Sequence, residues 1–111
     1  MDKKILRLIS RNEEIILMAI WKLKGNAYGV TIRDYASDLT GVPWKFGSVY
    51  VPLDKLTLKG YIRKYHSSPV LERGGRSKVM YELTSTGKEA LKQVKKVQDA
   101  LWDKNSNLIF D

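Results

Sequence analysis

The chain has 111 residues, which suits one domain burying roughly two thirds of its unfolded surface. Hydrophobic residues make up 43% and charged residues 29%, which argues against disorder, and the lack of cysteine excludes disulfides, thiolate zinc sites and cysteine nucleophiles. Lysine and arginine number 20 against 12 aspartates and glutamates, and the resulting +8 favours a polyanionic partner such as DNA, RNA or an acidic surface.

The start, Met1-Asp2-Lys3-Lys4, precedes an apolar stretch too short and interrupted for a secretory leader. No later run has the length to span a bilayer, so a cytoplasmic protein with no membrane partner is expected. Ile5, Leu6 and Ile9 give the N-terminal segment an apolar face. Ser10 or Asn12 then caps a first helix whose opening turn holds Glu13 and Glu14, suited to the positive end of the dipole. Ile16, Ala19, Ile20 and Leu23 recur at helical spacing, with Lys22 and Lys24 in the last turn and Gly25-Asn26 as the stop. Trp21 is either a partner-facing aromatic or, as expected, a residue that rims the core. A second helix after Gly29 buries Ile32, Tyr35, Ala36 and Leu39, turns Arg33, Asp34, Ser37 and Asp38 to water, and ends at Thr40-Gly41 before Val42-Pro43.

The third helix has Ser48 as its expected N-cap. Val49, Leu53 and Leu56 face inward, leaving Ser48, Tyr50, Val51, Asp54 and Lys55 outside. Pro52 lies just beyond the proline-tolerant positions, which predicts a bent or tightened first turn. Lys59-Gly60 ends the helix. A strand, Tyr61 to Tyr65, leads through the loop Leu71 to Arg76 into a return strand, Val79 to Leu83, whose Val79, Tyr81 and Leu83 should share the core face. Arg63, Lys64, Arg73, Arg76 and Lys78 make this hairpin basic against Glu72 and Glu82, and Gly74-Gly75 permits a tight tip. Arginines at such a tip can reach a minor groove.

The last helix starts near Thr84 to Thr86, where Thr86 and Glu89 have capping-box spacing and Thr84 is the alternative cap. Leu91, Val94, Val97, Leu101 and Trp102 form its apolar stripe, with Lys88, Lys92, Lys95 and Lys96 largely off it. Such a stripe must be covered, either by packing back on the first helix or by a second copy; pairing is the expectation, with Ile5, Leu6 and Ile9 as complement. Asn105 to Asp111 is expected to fray. The fold class is therefore mainly α with a small β-hairpin. Residues 1–84 form an N-terminal helix plus a winged helix-turn-helix, and residues 85–111 an additional C-terminal dimerisation helix with its tail.

No enzyme is expected. His66 is the only histidine and has no evident acid partner, and Glu13-Glu14 belong to a helix start. No metal cluster, phosphate loop or dinucleotide fingerprint is present in the sequence, and no cofactor is implied.

The run Gly47-Ser48-Val49-Tyr50-Val51-Pro52-Leu53-Asp54-Lys55-Leu56 with Lys59-Gly60-Tyr61-Ile62 resembles the third-helix signature of PadR-like transcriptional regulators. Gly75-Arg76-Ser77-Lys78, Tyr81 to Gly87 and, more weakly, Tyr28 to Ile32 are similar to other parts of that pattern, so the resemblance spans about Asn12 to Trp102. Val51 departs from it by standing between the tyrosine and the proline, and Val79-Met80 by replacing a basic-aromatic pair. The resemblance implies a dimeric winged-helix repressor of operator DNA, often released by a small effector. It implies that Ser48 and Tyr50 touch the DNA backbone, and that Lys55, Arg73, Arg76 and Lys78 support binding; Lys45 joins this set. It also implies that the last helix dimerises. Trp102 and its symmetry mate either line an effector slot or simply pack the interface. The competing function is a winged helix whose basic face docks an acidic protein or RNA.

Overall fold

The computed structural model describes residues 8–67 and 77–102. In chain order these form α1 (Arg11–Lys22), α2 (Gly29–Thr40), α3 (Phe46–Leu58), β1 (Ile62–His66), β2 (Val79–Leu83) and α4 (Ser85–Leu101). Ile5, Leu6, the wing tip with Arg73 and Arg76, and the tail after Trp102 lie outside the described residues.

Of the two candidate caps, Ser10 serves α1. Its Oγ accepts from the Glu13 amide at 3.1 Å, while its own amide donates to Glu13 Oε1 at 2.8 Å. Glu13 Oε2 also lies 3.4 Å from Lys59 Nζ, tying the start of α1 to the end of α3. The helix stops at Lys22, so Lys24 falls in the following turn, where Gly25 takes the left-handed φ of 83°.

Ile16, Leu17 and Ile20 of α1 meet Ile32 of α2 and Val49, Leu53 and Leu56 of α3 in one core, all 0–2% exposed. Leu39 departs from the expected buried face and is 59% exposed. The turn into α3 folds over Ser37 and Thr40 instead, where Trp44 donates its amide to Ser37 Oγ at 2.9 Å and its Nε1 to Thr40 Oγ1 at 3.0 Å.

Strands β1 and β2 pair antiparallel from Ile62↔Leu83 to His66↔Val79. Beyond them, the Ser67 amide donates to the Lys78 carbonyl, and Ser67 Oγ accepts from the Lys78 amide, both at 2.8 Å. The residues before α2 add to the other side of β2, through the bridge Tyr28↔Met80 and a 2.9 Å bond from the Tyr81 amide to the Ala27 carbonyl. This extra edge changes the expected alternation: Met80 is buried, while Val79 at the wing base is 41% exposed.

Thr84, the alternative to Thr86, caps α4 by accepting from the Gly87 amide at 3.1 Å. Its hydroxyl also donates to the Gly60 carbonyl at 2.6 Å. A Cβ on Gly87 would collide with the Tyr61 carbonyl, so glycine is what lets α4 approach the end of the α3 turn. The remainder of the α4 stripe grades outward: Leu91 and Val94 are half-buried, and Val97, Leu101 and Trp102 are 38%, 73% and 58% exposed. Ile9 and Leu91 lean on their own core.

Burial pulls the Glu13 carboxyl upward, but the Ser10 amide and the Lys59 ammonium outweigh it and hold the group below its ordinary value. A lowered native pKa adds stability above the unfolded carboxylate range, and that stability is lost as pH falls through the native value. Urea unfolding across acidic pH should therefore show Glu13→Gln less stable than the parent near neutrality and equal to it at the lowest pH; parallel curves would exclude this role.

Candidate nucleic-acid interface

The buried row Val49, Leu53 and Leu56 fixes which side of α3 faces out. Ser48, Tyr50, Val51, Asp54 and Lys55 are all exposed, as the periodicity predicts. The helix begins earlier than expected: Lys45 occupies the N-cap position and Ser48 the third helical position. Ser48 therefore does not cap. Its amide instead donates to the Lys45 carbonyl at 3.0 Å, tightening the opening turn, whereas the earlier helix start leaves Pro52 well inside the helix and away from that turn. Pro52 has no amide to donate to the Ser48 carbonyl one turn earlier. Lys45 makes no side-chain cap, so no cap side chain occupies the start of α3, an end whose dipole favours anions.

Side-chain pairs place α2 against α3 along one seam. Below the Ser37–Trp44 bond, the Arg33 guanidinium carbon sits 4.3 Å from the Phe46 ring centroid, and Phe46 stacks on Tyr50 at 6.0 Å and 28°. At the top of the seam Tyr50 packs on Gly29. A Cβ there would overlap the phenol oxygen and lie 2.5 Å from Cζ and 3.0 Å from Cε1. Gly29 needs no left-handed backbone, so this close approach is what calls for glycine. Tyr50 is thus seated at its hydroxyl end and still 42% exposed.

The wing base joins the same surface. Lys78 Nζ lies 3.7 Å from the Tyr28 ring centroid, and Tyr28 directly precedes Gly29. Tyr50, Gly29, Tyr28 and Lys78 are therefore contiguous. Beneath them Tyr81 is pushed upward in pKa, first by burial and then by the charges of Asp54 and Tyr50. Arg63 pairs with Glu82 across the hairpin.

Of the sequence-predicted binding residues, Lys45, Ser48, Tyr50 and Lys55 line the exposed side of α3, Lys78 stands at the wing base, and Arg73 and Arg76 lie outside the described residues. Sequence reasoning missed Gly29, Tyr28, Arg33, Phe46 and Trp44. The one-turn spacing of Phe46 and Tyr50 was the available signal for their stack. Arg33, expected to face water, is half-buried on Phe46, a pairing between helices that no local pattern encodes.

A separate groove of about 480 Å³ lies between α1 and α4, lined by Met18, Trp21, Leu83, Leu91, Lys88 and Lys92 among others. Trp21 lines this groove at 44% exposure, with Lys24 and Lys88 ammonium groups 5.2 and 5.7 Å from its ring centroid. Trp102 is not among the groove's lining residues. Among the described residues there is no cluster able to hold a metal ion, and no helix is long and apolar enough to cross a membrane.

The family model described as transcriptional regulator PadR-like family matches residues 16–93. Among solved structures, a PadR family transcription regulator from Clostridium difficile is similar with a TM-score of 0.60 at 26% identity, over 83% of this chain and 90% of that one. A PadR-like transcriptional regulator from Bacillus cereus gives 0.64 at 21%, over 83% and 92% of the two chains. RosR from H. salinarum gives 0.67 at 22%, over 90% and 83%. The latter two likenesses establish fold alone. No curated protein sequence matches significantly.

The seat of Tyr50 makes a prediction about stability. Gly29→Ala should cost at most about 1 kcal/mol, because the partly exposed Tyr50 ring can swing aside, yet cost nothing in a Tyr50→Ala background, where alanine's helix propensity has no clash to oppose it. Chemical denaturation of the four variants in this cycle measures the coupling, and additive effects would show that Gly29 does not act through Tyr50.

Proposed function

Because this chain belongs to the PadR-like family of transcriptional regulators, we propose that it is a repressor that binds operator DNA as a homodimer and is released by a small effector. The observation that carries the DNA-binding surface is the continuity of exposed Tyr50 with Lys78 through Gly29 and Tyr28. That continuity supports one face that could follow a duplex from the outer side of α3 to the wing.

In this reading α3 enters the major groove N-terminus first. Lys45 and the uncapped, dipole-positive start of α3 attract a phosphate, and Ser48, Tyr50 and Lys55 supply further donors along the backbone. Lys78, with Arg73 and Arg76 of the wing, continues the positive track. Asp54 is the one carboxylate on the outer side of α3 and, close enough to Tyr81 to raise its pKa, it is a cost at this surface that the neighbouring cations must offset.

The dimer is supported by the outward grading of α4, which leaves Val97, Leu101 and Trp102 exposed among the described residues. Residues 1–84 then form the DNA-binding unit and 85–111 the pairing unit, with Ile5, Leu6, Ile9, Leu91 and Val94 completing the interface. Two α3 helices held about 34 Å apart would meet successive turns of one groove face. Paired Trp102 rings at the seam would offer a flat aromatic slot for an effector.

A mobility shift against the chain's own promoter DNA, with random DNA as competitor, tests the proposal. Specific retention is expected, and the affinity of Tyr50→Ala and Arg76→Ala should fall at least about tenfold each, the scale of lost charge-assisted hydrogen bonds. Affinity should also drop steeply with salt as counterions are released. Equal competition by random DNA would instead favour docking of an acidic protein or RNA.

Sedimentation should find a dimer that Leu101→Glu converts to monomer. Planar cations or phenolic acids should quench tryptophan fluorescence in the parent but not in Trp102→Ala. An unaltered dimer in the first variant, or unaltered quenching in the second, would remove the corresponding part of the proposal.

A further inference from the structure

Opposite the buried Val49, Leu53 and Leu56, the outermost ridge of α3 runs through Gly47, Val51 and Leu58, with Asp54 beside it. None of the three ridge side chains can form a hydrogen bond. Val51 is 54% exposed and Leu58 88%. Gly47 has no left-handed φ, and a Cβ added to it would meet no heavy atom within 4 Å. Neither backbone strain nor crowding inside the chain therefore calls for glycine at this position, and helix propensity argues for alanine. What glycine offers here is a backbone that an external surface can approach closely.

We propose that Gly47 and Val51 are the part of α3 that lies deepest in the major groove, and that Val51 recognises the 5-methyl group of a thymine. The inference rests on the DNA-binding function proposed above and adds a specificity determinant to it. In the major groove a base pair displays donors, acceptors and one apolar group, the thymine methyl. Valine set against a donor or acceptor would strip water from it and return no bond. Set against the methyl, it buries apolar surface on both sides. Phosphate gains nothing from this ridge, whereas the flanking Tyr50, Lys55 and Lys45 carry the donors suited to the backbone.

The seam with α2 keeps the ridge in register. Tyr50, the neighbour of Val51, is held between Phe46 and Gly29, so α3 cannot roll to exchange one outward residue for another without breaking those contacts.

Deoxyuridine differs from thymidine only by the missing methyl, which makes it the decisive probe. A preferred duplex is first recovered from a random library at fixed salt with the full-length chain. Each thymine of a half-site is then replaced singly by deoxyuridine. One position should lose roughly fourfold in affinity, the worth of one buried carbon group. Val51→Ala should bind the thymine and deoxyuridine duplexes equally, while Lys55→Ala should weaken both and preserve their ratio. Thermal melting of both variants should match the parent, because both residues are exposed.

Selection of a defined duplex with no position sensitive to the methyl would overturn the proposal and leave the regulator function standing. So would a methyl preference that survives in Val51→Ala. Failure to select any duplex would remove the DNA-binding function itself, and this inference with it.

Discussion

Complete burial of one face of α3 is the constraint on which the rest of the molecule depends. Val49, Leu53 and Leu56 are each 0% exposed, and sealing side chains of this kind from water is worth about 1.5–3 kcal/mol apiece. Rolling the helix by one residue would expose them and bury Tyr50 or Lys55 in their place. Hydrophobic burial, a force without direction of its own, thereby acquires a directional consequence: it decides which side chains a partner can meet. Contacts around the core then sharpen that decision. Glu13 holds the far end of α3 through Lys59, and the α2 seam holds the near end through Trp44, Phe46 and Tyr50.

Much of this was legible in the sequence because periodicity reports burial directly. The inward faces of α1 and α3, the glycine stops at Gly25, Gly41 and Gly60, and the order of helices and hairpin all follow from local pattern. Helix starts were less legible, since the cap residue depends on where the chain arrives from. Ser48 looked like a cap by chemistry, yet the turn after Pro43 reaches helical geometry at Phe46 and carries Ser48 inside. Leu39 and Met80 failed for a different reason. Each has the right spacing or the wrong one for its strand or helix, but its exposure is set by another segment: the turn anchored by Trp44 for Leu39, and the Tyr28 edge for Met80.

The candidate site divides in the same way. Its charged and hydroxyl residues could be named from their outward spacing and the basic composition of the hairpin. The residues that place them could not: Gly29 earns its role only from the ring that lies on it, and Arg33 from an aromatic on the next helix. The two ends of the chain's amphipathic character also separate in space. The face of α3 and the wing base presents isolated apolar residues among donors, whereas the end of α4 presents a continuous stripe of Val97, Leu101 and Trp102. A polyanion suits the first, and a second apolar surface suits the other.

Backbone amide shift mapping during titration with a selected duplex tests the central claim most directly. The account predicts that the largest changes fall on Lys45 to Lys55, on Tyr28-Gly29 and on Lys78, with α1 and the outer side of α4 nearly silent. Changes concentrated in the groove between α1 and α4, with the outer side of α3 silent, would contradict it.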